Sequence, residues 1–549
     1  MLQLQPLEES AVPIFHDVTL RDGNQALRRP WNLTEKSRIF QMLVDLGVSR
    51  VELGYPGASR MDFDCVNLLA AQAPKQMVVG ALARANHRDV TSAIEALSDI
   101  TGAADKARPM IHSFVGMSPY HMGAVLRREP NEVRLMALDA VKLARAGLGN
   151  DGYIQFSPEH FGDCLENLDW VISVFQELAE AGVDVFNLPN TVERYRPSVF
   201  VAMVDKVRRA LPDSKIVSVH CHDDLGMATA TTVEAFFAGA RQLEVTLNKL
   251  GERAGNTSLY ETAMALHCNG VEIGLNLGLF YETAIKVAEL SGVPIPEKAP
   301  LIGADCLMQR SGIHQHGAVQ TFGRPKGAYR PFDPTVIGRA GDEELEFTSQ
   351  SGTAAVEAII RESGRNITKA EAQLLQPALK AVSEQRGALA PEELASAYDA
   401  LRGLQAHKPE LTQEDINAVV RDAIGLRGKL TWECPYAFAV AGAPVPTASV
   451  ILVHDGAKLP PVAAVGDGPV DAIYKAISQA TGLQVSVVDY QIHNVSGGAD
   501  AQAEATCVLA LDGRSCQGQG VDTDTVMASV KAYMQALNRL ARGESNGLH

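Results

Sequence analysis

Val217-Ser218-Val219-His220-Cys221-His222-Asp223-Asp224-Leu225-Gly226 is the stretch whose reading decides the fold. An apolar, β-branched run gives way to two histidines one residue apart, then to polar residues and a glycine. On a strand, side chains two apart share a face, so both imidazoles can reach one metal ion at the strand's C-terminal end. Read alone, such a pair is more often two histidines in ordinary polar contacts than a metal site. Cys221 falls on the opposite face and reads as packing.

Two further polar clusters stand in the same relation to a strand-like run. Thr19-Leu20-Arg21-Asp22-Gly23-Asn24-Gln25 follows the apolar run 12–18, and Gly251-Glu252-Arg253-Ala254-Gly255-Asn256 follows the run 243–247. Polar clusters after successive strands are what a site built from the loops at one end of a parallel barrel requires. The expected metal ligands are Asp22, His220 and His222, with Asn256 giving an oxygen or a supporting bond. Two imidazoles, a carboxylate and an amide suit a divalent ion with open positions.

Strand-like runs at 12–18, 50–53, 77–82, 110–114, 152–156, 183–188, 215–220 and 243–247 alternate with amphipathic segments. Between the first two, Thr34 reads as a helix N-cap, Ile39, Met42, Leu43 and Leu46 keep helical spacing, and Gly47 ends the run. This periodicity predicts an α/β protein with a TIM (β/α)8 barrel over 1–275. A doubly wound open sheet competes, but no Gly-x-Gly-x-x-Gly follows the first strand. A connector of loops and short helices is expected over 276–345. A helical part over 346–428 follows, with capping-box patterns at Thr368/Glu371 and Thr412/Asp415. The tail, 429–549, reads as α+β with an internal duplication. Strand candidates lie at 448–453, 484–492 and 503–511. Two glycine-rich turns, at Gly466–Gly468 and Gly518–Gly520, are each expected to feed a helix with Asp471 or Asp524 in its first turn. Such an appended module more often binds an effector or a second subunit than performs chemistry.

Composition narrows the class. A chain of 549 residues exceeds one compact core. A net charge of −16 speaks against nucleic acid and anionic membrane as partners. Eight scattered cysteines with no Cys-x-x-Cys pair fit free thiols in a reducing cytosol. The first residues lack the basic start and apolar core of a signal peptide, and no apolar run spans a bilayer, so a cytoplasmic protein is expected.

The barrel motifs, in this order, resemble the Claisen-condensing acyltransferases of the DRE-TIM metallolyase superfamily. The likeness to the 2-isopropylmalate synthase family, among the alpha-isopropylmalate/homocitrate synthases, runs nearly the whole length. It is carried by Arg21 to Gln25, Ser157-Pro158-Glu159, Asn187 to Glu193, His220-Cys221-His222 and Gly251 to Asn256. Ser311-Gly312-Ile313-His314-Gln315 and Tyr329 to Arg339 carry it through the connector, and the two Gly/Asp motifs carry it through the tail.

The resemblance implies a divalent ion, Mg2+ or Mn2+, on Asp22, His220 and His222, with Asn256 as ligand or neighbour and a monovalent cation as a further activator. Bound so, the ion polarises the ketone of a 2-oxo acid, and Arg21 stabilises the developing charge. His112, Ser157 and Thr191 match positions that contact the 2-oxo acid. The second substrate is implied to be acetyl-CoA, activated by His314 and Tyr329 reaching the barrel of the other protomer of a homodimer. His314 ranks first as base and Glu159 competes. The implied reaction joins acetyl-CoA to 3-methyl-2-oxobutanoate, the committed step to leucine, with leucine as effector at the tail. Asp223, Asn190 and His316 depart from the family pattern and leave the choice of 2-oxo acid open. The same chemistry on another 2-oxo acid, a metal-dependent carbon–carbon lyase and an amino-acid-sensing subunit are the other readings.

Overall fold

Eight parallel strands close on themselves in sequence order: β1 (Ile14–Asp17), β2 (Arg50–Gly54), β3 (Val78–Arg84), β4 (Arg108–Gly116), β5 (Tyr153–Glu159), β6 (Val185–Asn190), β7 (Ile216–Cys221) and β8 (Gln242–Val245). The expected barrel is present in this computed structural model, which describes residues 12–321, 324, 327–339, 346–408, 411–424, 432–440, 445–454, 457–494, 503–511, 514–522 and 524–541. The N-terminal residues read for a targeting signal lie outside the described residues, as does the side chain of His316.

The helices after the strands are α1 (Leu33–Asp45), α2 (Arg60–Gln72), α3 (His87–Ala96), α4 (Pro130–Leu148), α5 (Leu168–Glu180), α6 (Pro197–Ala210), α7 (Ala228–Phe237) and α8 (Leu259–Cys268). The start of α1 corrects the expected cap. Asn32, not Thr34, is the N-cap: its side chain accepts from the Glu35 amide while Glu35 accepts from the Asn32 amide. Asn32 keeps the extended backbone a cap needs, and Thr34 already lies inside the helix.

Strand residues of alternate parity divide cleanly. Val51, Leu53, Val79, Ala81, Ile154, Phe156, Val217, Val219, Leu243 and Val245 are buried in the apolar core that the helices share. The other parity carries His16, Arg50, Glu52, Gln155, Ser218, Gln242 and Glu244, also buried. These meet inside the barrel. Gln242 on β8 donates to Gln155 on β5 at 2.7 Å, and Gln155 donates to Glu244 at 2.6 Å, although β5 and β8 are not neighbours. Arg50 donates to Gln242 at 2.7 Å. Barrel interiors are usually packed with branched apolar side chains. Here the filling is polar, and it is tolerable because nearly every group has a partner.

The chain divides into two compact units, the described residues up to 309 with 313–339, and 310–312 with 346–541. The first adds α9 (Phe280–Ser291) and most of α10 (Gly312–Gln320) to the barrel. The second holds α11 (Thr353–Glu362), α12 (Lys369–Arg386), α13 (Pro391–His407) and α14 (Gln413–Ala423). Both expected capping boxes form, at Thr368/Glu371 and Thr412/Asp415.

The tail is two antiparallel sheets, each followed by a helix. β9 (Trp432–Val440), β10 (Thr447–His454), β11 (Ala457–Lys458) and β12 (Val462–Val465) precede α15 (Pro469–Thr481). β13 (Ser486–Asn494), β14 (Ala503–Leu511) and β15 (Arg514–Asp522) precede α16 (Thr525–Ala541). The duplication is therefore real, but one motif was misread. Gly518 and Gly520 lie in β15 rather than in a turn. A Cβ on Gly518 would stand 2.1 Å from the Ala532 carbonyl oxygen, so the missing side chain is what lets α16 lie on the sheet. Asp524 sits just before α16, not in its first turn, and accepts from the Val526 amide at 2.8 Å. Asp471 does lie in the first turn of α15. Among the described residues no cysteine is joined in a disulfide. Among the described residues no helix is long and apolar enough to cross a membrane.

Candidate metal centre and active site

At the ends of β1, β7 and β8, Asp22, His220 and His222 are buried together, and one ligand-capable atom from each lies within 4.8 Å of the others. Asp22 sits on the single wide helical turn Thr19–Gly23 that follows β1. His220 is the penultimate residue of β7, and His222, just past the strand, is held by a bridge to Asn256 in the loop after β8. The Nε2 atoms of the two histidines face each other at 3.1 Å. Two imidazole nitrogens at that distance need a proton or a cation between them. Asn256 donates to Asp22 through Nδ2, which leaves its Oδ1 buried without a partner, and His222 Nδ1 is likewise unpaired. The donor set fits a divalent ion with room for further ligands.

Electrostatics prepare Asp22 and His222 for a cation. Burial works against ionisation of Asp22, yet Arg21 and the two imidazoles hold its carboxyl down at about 2. Burial, with His220 beside it, pushes His222 down to about 3, so its ring is neutral and able to ligate. Burial opposes protonation of His220, but Glu244 and Asp22 outweigh it and raise this histidine.

Two carboxylates that the sequence reading passed over organise the rest. Glu244 contacts His220 Nδ1 at 2.8 Å, turning Nε2 toward Asp22 and His222, and its other oxygen stands 3.3 Å from His16 Nδ1. Glu52 binds the Arg21 Nε and stands 2.6 Å from His112 Nδ1. Despite burial, Arg21 and His112 hold Glu52 at about 2. With its Nδ1 proton directed at Glu52, His112 accepts from the Ser157 hydroxyl at 2.7 Å, and Ser157 in turn accepts from Asn187 at 2.9 Å. Arg21 also reaches Asp22 at 2.5 Å, so it is clamped between two carboxylates with its guanidinium at the metal-ligating group.

These residues line a cavity of about 270 Å³ at the barrel mouth. Arg21, Asp22, His112, Ser157, Glu159, Thr191, His220 and His222 all face it, with Tyr55, Leu82, Phe114 and Pro189 as an apolar side. Asn256 lies just behind, bonded to Asp22. His314 and Tyr329 do not join the group. Their rings stack on each other, centroids 4.1 Å apart, and both are exposed. The departure at Asp223 has a local use: it accepts from the Ala228 amide at the start of α7 and pairs with Lys249 at 2.5 Å.

Residues 12–287 match the HMGL-like family model, and residues 410–541 match the LeuA allosteric (dimerisation) domain. 2-isopropylmalate synthase 2 of Leptospira interrogans is 49% identical over 376 residues, covering 68% of this chain and 86% of that protein. 2-isopropylmalate synthase of Heliobacterium modesticaldum is 36% identical over 535 residues, covering 96% of each. Among solved structures, hydroxymethylglutaryl-CoA lyase from Pseudomonas aeruginosa covers 52% of this chain and 95% of its own, at 16% identity and a TM-score of 0.45. Barrel and tail thus match one set of relatives over nearly the whole length, and the chain belongs to the 2-isopropylmalate synthase family.

Proposed function

We propose that this chain condenses acetyl-CoA with 3-methyl-2-oxobutanoate and hydrolyses the resulting thioester, giving 2-isopropylmalate and CoA. The observation that carries the reading is the buried Asp22/His220/His222 cluster with Arg21 clamped beside it. Asp22, His220 and His222 would hold the ion, with Asn256 turning its free Oδ1 toward it, and Mg2+ and Mn2+ suit these ligands equally. When bound, the ion supplies Lewis-acid polarisation of the 2-oxo acid. Arg21 cannot lose its proton beside two carboxylates, so its charge is available to an alkoxide forming at the ketone carbon. His112, Ser157 and Thr191 present polar atoms to the 2-oxo acid. Leu82, Phe114 and Pro189 offer its branched alkyl group an apolar wall.

Glu159 lines the same cavity, whereas His314 does not, so in this reading Glu159 takes the methyl proton of acetyl-CoA. The exposed His314–Tyr329 stack suits a pair that completes the barrel of a second protomer, in a homodimer assembled through the tail. The four-part division at 275, 345 and 428 follows from this: barrel, connector bearing the pair, helical spacer, and regulatory tail with leucine as effector. A cytoplasmic setting and activation by a monovalent cation belong to the same reading.

CoA release from acetyl-CoA with a panel of 2-oxo acids, with and without divalent metal, tests it. Metal-dependent release peaking with 3-methyl-2-oxobutanoate is expected. A peak with another acid would keep the chemistry and reassign the substrate, and no release with any acid would overturn the proposal. Leucine should lower the rate of the full chain; an unchanged rate at saturating leucine would remove the regulatory assignment.

A further inference from the structure

Beyond the cluster at the metal site, the loop after β4 carries a histidine that nothing above uses. His121 is largely buried, and its Nε2 stands 3.7 Å from Oε2 of Glu159. Its ring also lies against His160, centroids 4.8 Å apart. His160 in turn is 3.3 Å from Asp163, which pairs with Arg194 at 2.7 Å on the exposed rim.

The placement is built into the backbone. The ring lies directly over Gly116, the last residue of β4, where a Cβ would sit 2.1 Å from His121 Cδ2. Any other residue at 116 would displace the ring from Glu159. The loop itself is pinned by Ser118, whose Oγ accepts from the His121 amide at 3.2 Å.

We propose that His121 is a positioning and proton-carrying partner of Glu159, taking the proton that Glu159 removes from acetyl-CoA and passing it to water. This deepens the proposed function and rests on it. The balance is simple. A methyl C–H bond of acetyl-CoA breaks, its electron pair becomes the enolate, and the proton goes to a Glu159 oxygen. That oxygen gives the proton to His121 Nε2, and the imidazolium loses it to solvent. Glu159 is returned as carboxylate for the next turnover. The enolate attacks the ketone carbon, and the alkoxide so formed takes one proton from solvent, which balances the one that His121 delivers; the proton released overall comes from the water that later hydrolyses the thioester. Burial lowers His121 despite the attraction of Glu159, which keeps the ring neutral and ready to accept. The groups facing it are Glu159 and His160, with Asp163 and Arg194 behind His160. A separation of 3.7 Å before substrate binds is within the range that tightens to a hydrogen bond in a working complex.

The test uses the full chain with its divalent metal. First, wild-type CoA release must be present; its absence would sink the proposed function and not this step in particular. Then H121N, H121Q and G116A are compared with wild type across pH. Loss of the carrier should lower kcat by about 10- to 100-fold with little change in KM for the 2-oxo acid. It should also slow solvent deuterium entry into the acetyl-CoA methyl, and added imidazole should restore part of the rate in H121N. G116A keeps every titratable group but moves the ring, and should reproduce the loss. Normal kcat, pH profile and deuterium exchange in H121Q would overturn the proposal. So would a fall in rate with an unaltered exchange rate and no imidazole rescue, which is what a purely structural histidine gives.

Discussion

Replacing Glu244 by Gln isolates what the buried carboxylate does for the candidate metal site. Glu244 is wholly inside the barrel, touching His220 Nδ1 at 2.8 Å and His16 Nδ1 at 3.3 Å and accepting from Gln155 at 2.6 Å. Burial opposes the charge, yet the His16 and His220 imidazoles hold it ionised, well below the usual carboxylate range. Gln preserves shape and volume, so the barrel need not repack. It removes the charge that fixes the Nδ1 proton of His220. It also allows an NH2 group to face that nitrogen, which would move the ring proton to Nε2, the nitrogen that faces Asp22 and His222. A partner that orients a histidine ligand in this way is worth about 10- to 100-fold in metal affinity, or about 1.4–2.7 kcal/mol. Calorimetric titration of Mn2+ into the full chain and E244Q should show a weakening of that size, with a cooperative thermal transition retained. E52Q is the matched comparison, because Glu52 holds Arg21 and His112 but touches neither histidine ligand. It should bind Mn2+ within about threefold of wild type by the same reasoning, while CoA release falls with Arg21 unclamped. Mn2+ affinity in E244Q within a factor of two of wild type would refute the claim that Glu244 sets the ring of His220.

Three other outcomes are expected. Asp17 is buried on β1 with its carboxyl raised to about 7 by that burial, against hydrogen bonds from Thr19 that lower it. The folded state therefore holds this proton longer than the unfolded chain, and its contribution to stability falls as pH rises from about 4 to about 7, by at most about 4 kcal/mol. Urea unfolding at pH 5 and pH 8 should show about 2–3 kcal/mol of that loss in wild type and a smaller one in Asp17→Asn. In the tail, Gly518→Ala forces a methyl against the Ala532 carbonyl and should cost about 1–3 kcal/mol of stability, read by thermal unfolding. Thr368→Ala removes one half of a capping box and should cost about 1 kcal/mol by the same measurement.

The parts of this protein that could be read from the sequence are those where local pattern and tertiary role agree. His220 and His222 were legible because strand alternation alone places both on one face, and Asp22 because its cluster follows an apolar run. Glu52 and Glu244 were not, for a physical reason. Arg50-Val51-Glu52-Leu53 and Gln242-Leu243-Glu244-Val245 alternate polar with apolar, the signature of a strand with one wet face. In a closed barrel the second face is the interior, and only closure tells which it is. The alternation alone leaves the polar parity unassigned between solvent and interior, and closure buries it. Gly518 failed in a related way. A Gly-x-Gly motif is a turn signal until a helix is known to lie on it, and only the packing of α16 shows that the missing side chains make room rather than a bend. In both cases the identity of the residue was informative and its neighbour in space was not available. A charged residue alternating with apolar ones on a strand of a suspected parallel barrel should therefore be counted among site residues from the start. Burying it would cost several kcal/mol unless a partner and a purpose sit within reach.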